Sequence, residues 1–148
     1  MTEIKNLKNV PELQRGQFIV NVSGVVFDTK TKKILLGKRE NDPYIKGITW
    51  CFPGGRPHEG DDLEDALKRE IKEKTGVNVE SLGPIFARII PERKEFLTIF
   101  YLCEPISGKL KAGQKFVDVK WIEINELEEY HKIPKVHPKL KEYIENLK

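Results

Sequence analysis

The stretch "GGRPHEGDDLEDALKREIKEKTGV", Gly54 to Val77, decides the fold. Its second half is helical in period. With Leu63 as origin and about 100° per residue, Ala66, Leu67 and Ile71 gather with Leu63 on one side. Glu64, Asp65, Lys68 and Lys72 fall on the opposite, solvated side. The pattern predicts a helix from about Asp62 to Thr75, stopped by Gly76 at the usual C-terminal position. Asp61, with Glu64 three residues later, has capping-box spacing. Two charges break the pattern. Glu70 and Lys74 each land about 20° from Leu63, inside the apolar arc.

A carboxylate on an inward face is costly unless it is paired or binds a cation. Three readings stay open at this point. Glu70 and Lys74 are four apart with Glu first, the favourable order for a helical ion pair. The helix end could instead splay into solvent. Or Glu70 faces a ligand. The preceding Gly54-Gly55 favours the third reading, because it allows a sharp path and close approach of main-chain N–H groups to a ligand. A Gly-rich loop feeding an acidic helix suits a phosphate held through a divalent metal. Mg²⁺ takes oxygen ligands, commonly one or two carboxylates with substrate phosphates and waters. Glu70 and Glu73, three apart, can both reach one such ion. His58 and Glu59 are further loop candidates, though isolated loop charges are more often simply solvated.

Outward from this segment, the chain reads as several strands with interspersed helices. Phe18–Phe27 and Ile34–Arg39 are strands, expected to pair as a hairpin across a polar turn. Residues 40–49 are a loop, and "WCF" is a short strand ending at Pro53-Gly54-Gly55. "SLGPIFARII", "EFLTIFYLCE" and "KFVDVKWIEI" are three more strands. A short helix is expected after a cap at Asn125. A terminal amphipathic helix from Pro138 to Leu147 would place Leu140, Tyr143, Ile144 and Leu147 on one face. Such a mixture without strict alternation implies an α/β (α+β) fold: a mixed sheet flanked by helices.

The 148 residues fit one domain, with residues 1–15 a polar lead-in. A net charge of +3 suits a phosphate-bearing ligand and is too weak to argue for polymeric nucleic acid. Cys51 and Cys103 have no metal-ligand spacing and read as reduced thiols of a cytoplasmic protein. The first residues lack a signal peptide's apolar core, and no apolar run is long enough to span a membrane.

The segment resembles the Nudix box of MutT-like hydrolases, G-x5-E-x7-R-E-U-x-E-E-x-G-U with U a bulky aliphatic. Gly55, Arg69, Glu70, Ile71, Glu73, Gly76 and Val77 stand where that pattern asks for them. "LLGKR", "W-x-F-P-G-G" and "VKWIEINEL" also look like the family, and the resemblance spans roughly residues 18–147. It implies an α/β/α sandwich around a mixed sheet. It also implies Mg²⁺-dependent (or Mn²⁺-dependent) hydrolysis of a nucleoside diphosphate linked to another group, such as a nucleoside triphosphate or nucleotide-sugar. By position, Glu70 and Glu73 would bind metal, and Arg69 would orient the box by pairing with a carboxylate. Gly54 and Gly55 would shape the loop that bends around the metal site and would contact substrate. A homodimer is among the assemblies this reading allows.

Two positions depart from the pattern. Asp61 replaces the first Glu, a mild change. Lys74 replaces the second Glu of the pair, and a lysine offers no acceptor to a metal. Lys74 could contact the diphosphate instead, or mark a catalytically weak nucleotide-binding domain. Glu92, Glu95 or Asp118 could supply a later carboxylate. A second local similarity is to GDP-mannose mannosyl hydrolases, through "LLGKRENDPYIKGITWCFPGGR" and "VHPKLKEY". It would make His137 a general base and Arg39 and Arg56 phosphate contacts. The alternative for His137 is a position just ahead of a helix that begins at Pro138. Tyr44, Trp50 and Phe86 are aromatic candidates for base recognition, or else core and loop packing. Lys109, Lys111 and Lys115 form a basic loop that could steer a phosphate or simply be a solvated surface.

Overall fold

In the computed structural model, the residues described are 16–40, 47 and 50–147. The lead-in and Tyr44 lie outside them. Strands β1 (Ile19–Asp28), β2 (Lys33–Arg39), β3 (Trp50–Cys51) and β4 (Gly54–Gly55) precede helix α1 (Leu63–Thr75). Strands β5 (Val77–Ile90), β6 (Arg93–Gly108) and β7 (Phe116–Glu123) follow. Helices α2 (Leu127–Tyr130) and α3 (Pro138–Glu145) close the chain.

The sheet runs β3-β2-β1-β6-β5, with β4 added to β1 and β7 added to β2. β1 and β6 are parallel, while the other pairs are antiparallel, so the sheet is mixed. The expected hairpin of β1 and β2 pairs only at its turn, Phe27 with Ile34 and Asp28 with Lys33. Beyond the turn β2 leaves β1 and pairs with β7 and β3.

The strand period of two sorts the core into two layers. Val22, Val26 and Leu35 point to the face covered by Leu67 and Ile71 of α1. Val25, Phe27, Ile34 and Leu36 point to the other face, under Leu127, Leu140 and Ile144 of α2 and α3. That is the α/β/α sandwich. Leu67 and Ile71 are fully buried, each stabilising the fold by roughly 1.5–3 kcal/mol.

Three local expectations are corrected. The cap of α1 is Asp62, whose carboxylate accepts from the Asp65 N–H at 3.2 Å. Asp61 is turned away, accepting from the His58 N–H at 2.7 Å and from Arg69 at 3.2 Å. Asn125 does not cap the turn before α2; Glu123 and Glu126 exchange the capping-box bonds there. Tyr143 is exposed, so the buried stripe of α3 is Leu140 and Ile144. Gly76 ends α1 as expected, at φ 78°.

Candidate active site

The double glycine is a two-residue strand, with Val22 opposite Gly55 and Ser23 opposite Gly54. A side chain at Gly54 would strike backbone, and one at Gly55 would displace the Glu70 side chain. A Cβ on Gly54 would stand 2.0 Å from the Val22 carbonyl oxygen. A Cβ on Gly55 would stand 2.3 Å from Glu70 Oε1. The glycines therefore let α1 lay its carboxylate directly against the strand.

Glu70 lies between two cations. Its Oε1 is 3.2 Å from Lys74 Nζ, and its Oε2 is 3.8 Å from Arg69 Nε. Arg69 also reaches Asp61 at 3.2 Å, so it bridges the loop and the helix. Lys74 donates a second bond to the Gly54 carbonyl at 2.5 Å. Its Nζ sits 5.9 Å from the Phe116 ring centroid. Burial pulls the Lys74 ammonium below the usual lysine range, and Glu70 opposes that pull. Lys74 is thus the inward residue that the helical wheel indicates, and its partner is Glu70.

Glu73 is elsewhere. Its Oε2 accepts from Gln114 Nε2 at 2.9 Å, and Glu73 does not line the cavity beside Glu70. Glu95 is taken by Arg93 at 2.5 Å, and neither Glu92 nor Asp118 lines the cavity. Among the described residues, no group of three His, Cys, Asp or Glu side chains could hold a metal ion. The donor set around Glu70 therefore does not fit a divalent ion as it stands, because an ammonium holds the carboxylate oxygen and the carbonyl.

A cavity of about 550 Å³ opens over this pair. Six cationic side chains line it: Arg39, Arg56, Lys74, Arg88, Lys115 and Lys135. Glu70 is the one carboxylate among the described lining residues. Phe52, Phe96, Phe100 and Phe116 supply apolar wall, with the Arg56 guanidinium 5.8 Å from the Phe96 ring centroid. Arg39, Arg56, Gly54, Gly55, Glu70, Lys74 and His137 are thus brought to one cavity, whereas Arg69 and Glu73 do not line it.

His137 lines the cavity but caps α3, its Nδ1 accepting from the Lys139 N–H at 3.1 Å. Trp50 packs edge-on against Tyr130, and Phe86 packs against Phe100 and His137. Of the basic loop, Lys115 reaches the cavity, while the Lys111 N–H binds the Thr75 carbonyl at the end of α1.

His131 carries no signal in the sequence. It is buried in the cavity wall, 5.0 Å from Phe52 between ring centroids, and among the described residues its Nδ1 has no hydrogen-bond partner. Burial holds its pKa down to about 4, with the Arg88 charge acting in the same sense. Gln114 and Arg88 were likewise illegible. Each reaches the site only through tertiary packing, Arg88 by tying β5 to the Lys135 carbonyl at 3.0 Å.

A family model for the NUDIX domain matches residues 17–147, and the chain belongs to that family. It is 36% identical over 113 residues to an ADP-ribose pyrophosphatase of Methanocaldococcus jannaschii, covering 73% of this chain and 63% of that protein. It is 41% identical over 119 residues to the human nucleoside diphosphate-linked moiety X motif 6, covering 73% of this chain and 35% of that protein. The chain spans less than two thirds of either relative's length. Among solved structures, it resembles a NUDIX hydrolase from Nitrosomonas europaea with a TM-score of 0.72 at 20% identity, covering 90% of this chain and 74% of that one. It resembles a UDP-X diphosphatase with a TM-score of 0.70 at 18% identity, covering 93% and 66%. These two likenesses establish the fold.

Proposed function

We propose that this chain hydrolyses a nucleoside diphosphate linked to another group, within the cavity over Glu70. The observation that carries this reading is the lining: six Lys and Arg side chains face one carboxylate, beside an apolar phenylalanine wall. A diphosphate needs the first and a base or sugar can use the second. Arg39 and Arg56 hold phosphate oxygens, Lys74 adds a fixed positive charge, and Glu70 is the carboxylate at the reacting end. Arg69 positions Glu70 from behind, and Glu73 steadies the helix through Gln114.

The family generally uses divalent metals such as Mg²⁺. On this reading Mg²⁺ (or Mn²⁺) would be the cofactor of turnover and would supply charge neutralisation to the diphosphate oxygens. The partner is a nucleotide-type small molecule. Cys51 and Cys103 form no disulfide, which accords with a cytoplasmic setting.

The test is a panel of nucleoside triphosphates, ADP-ribose and nucleotide-sugars with Mg²⁺, Mn²⁺ or EDTA. Turnover of at least one compound, lost in Glu70→Gln, is the expected result. Nucleotide binding without turnover anywhere would leave the second reading, a binding domain whose box is quenched by Lys74. That reading has its own observation, the Lys74–Glu70 contact at 3.2 Å. Attack on a sugar carbon with His137 as base is the other alternative. The cavity position of His137 favours it, and the use of Nδ1 as a helix cap weighs against it. Hydrolysis in ¹⁸O-water separates the two: label on phosphate means attack on phosphorus, and label on the sugar means attack on carbon.

A further inference from the structure

A hard divalent cation seeks oxygen ligands, carboxylates and backbone carbonyls among them. Beside β4 the structure presents such a pair, Glu70 Oε1 and the Gly54 carbonyl oxygen. Both are already bound to one positive charge, the Lys74 ammonium, at 3.2 and 2.5 Å. We propose that Lys74 is the resident cation of this site, standing between the Glu70 carboxylate and the Gly54 carbonyl so that the free protein binds no divalent ion at Glu70.

The arrangement differs from an ordinary helical ion pair in three ways. The Lys74 and Glu70 side chains are only 9% and 13% exposed, so water does not screen the contact as it would at the surface. The bond to Gly54 joins residues 20 apart in sequence, which helix geometry alone does not supply. And the Lys74 main chain is fixed from outside the helix, its carbonyl accepting from the Gly113 N–H at 3.0 Å.

A divalent ion at Glu70 would lie next to two fixed positive charges, Lys74 and Arg69, in a partly buried site where repulsion is strong. Glu73 gives no relief, since Gln114 holds its Oε2. The positive charge that meets a diphosphate here is therefore part of the chain and does not depend on free metal. The inference rests on the proposed function only for the diphosphate; the cation itself follows from the geometry.

The experiment uses ¹⁵N-labelled protein titrated with Mn²⁺ alone, read as paramagnetic broadening of amide signals. At about 1 mM Mn²⁺, a weak-site concentration, the wild type is expected to show no broadening centred on Glu70 and Gly54. Folded Lys74→Glu should show it there, with Mn²⁺ affinity raised about a hundredfold by the reversed charge. Lys74→Gln should gain less, and Glu70→Gln added to Lys74→Glu should abolish the gain. Broadening centred on Glu70 in the wild type would overturn the proposal, and that arm needs no variant to fold. So would a folded Lys74→Glu with no gain. Neither arm requires turnover, so a failure here is distinguishable from a failure of the hydrolase reading.

Discussion

Helix α1 carries two ion pairs within a few residues of each other, and they behave as different objects. Arg69 and Asp61 join helix to loop with side chains 33% and 25% exposed. Glu70 and Lys74 join residues of one helix with side chains 13% and 9% exposed. The first pair keeps the charges of the box pattern with a shortened acid, and it ties the loop to the helix. The second pair departs from the pattern and stands on the wall of the cavity. Exposure separates their energetics. A partly exposed pair contributes less, while a buried one is expensive to break because the survivor is left as an uncompensated charge.

The largest expected effect follows from breaking the buried pair. Glu70→Ala strands the Lys74 ammonium and should cost about 3–5 kcal/mol in urea unfolding. Adding Lys74→Met should recover much of that loss, since it removes the stranded charge. If the double variant is as unstable as the single, the pair is not coupled and the contrast with Arg69–Asp61 collapses.

Next comes the far wall of the cavity. His131 is held neutral, with its pKa down from 6.5 to about 4. A depressed pKa on a base means that the unfolded chain binds a proton the folded chain refuses. Stability is then full above pH 6.5 and falls as pH drops towards about 4, by roughly 3 kcal/mol over that window. His131→Leu should flatten this acid limb in urea melts at pH 4.5 and 7. An unchanged limb would mean that another group governs it.

Arg69→Ala should be milder than Glu70→Ala, lowering turnover by loosening Glu70 while moving the urea midpoint less. Equal midpoints for the two variants would contradict the ranking. The smallest effect concerns the thiols. Burial pushes the Cys103 thiol up to about 12, so it should resist a thiol reagent in the native protein. Rapid native labelling of Cys103→Ser and wild type to the same extent leaves that expectation intact; a second native equivalent in the wild type would not.

Much of this was legible in the sequence, for reasons that differ between residues. The period of α1, its stop at Gly76 and the box spacing are local, so the chain displays them directly. The inward places of Glu70 and Lys74 came from the same period. The cap did not, because Asp61 and Asp62 are adjacent and chemically alike. Only the fold shows that Arg69 claims one and the Asp65 N–H the other. The partner of Lys74 in β4, the diversion of Glu73 to Gln114 and the burial of His131 all depend on long-range packing. No pattern of neighbours encodes them. The β1–β2 pairing was overestimated for a related reason: β7, distant in sequence, claims most of β2.

The most direct measurement is calorimetric titration of ADP into the protein in EDTA, comparing wild type with Lys74→Met. If the resident ammonium is the charge that receives the diphosphate, the wild type binds ADP without metal. Lys74→Met then weakens binding by about tenfold or more, the scale of one lost charge-assisted contact. No binding by the wild type in EDTA, or equal affinity in the two proteins, would contradict it.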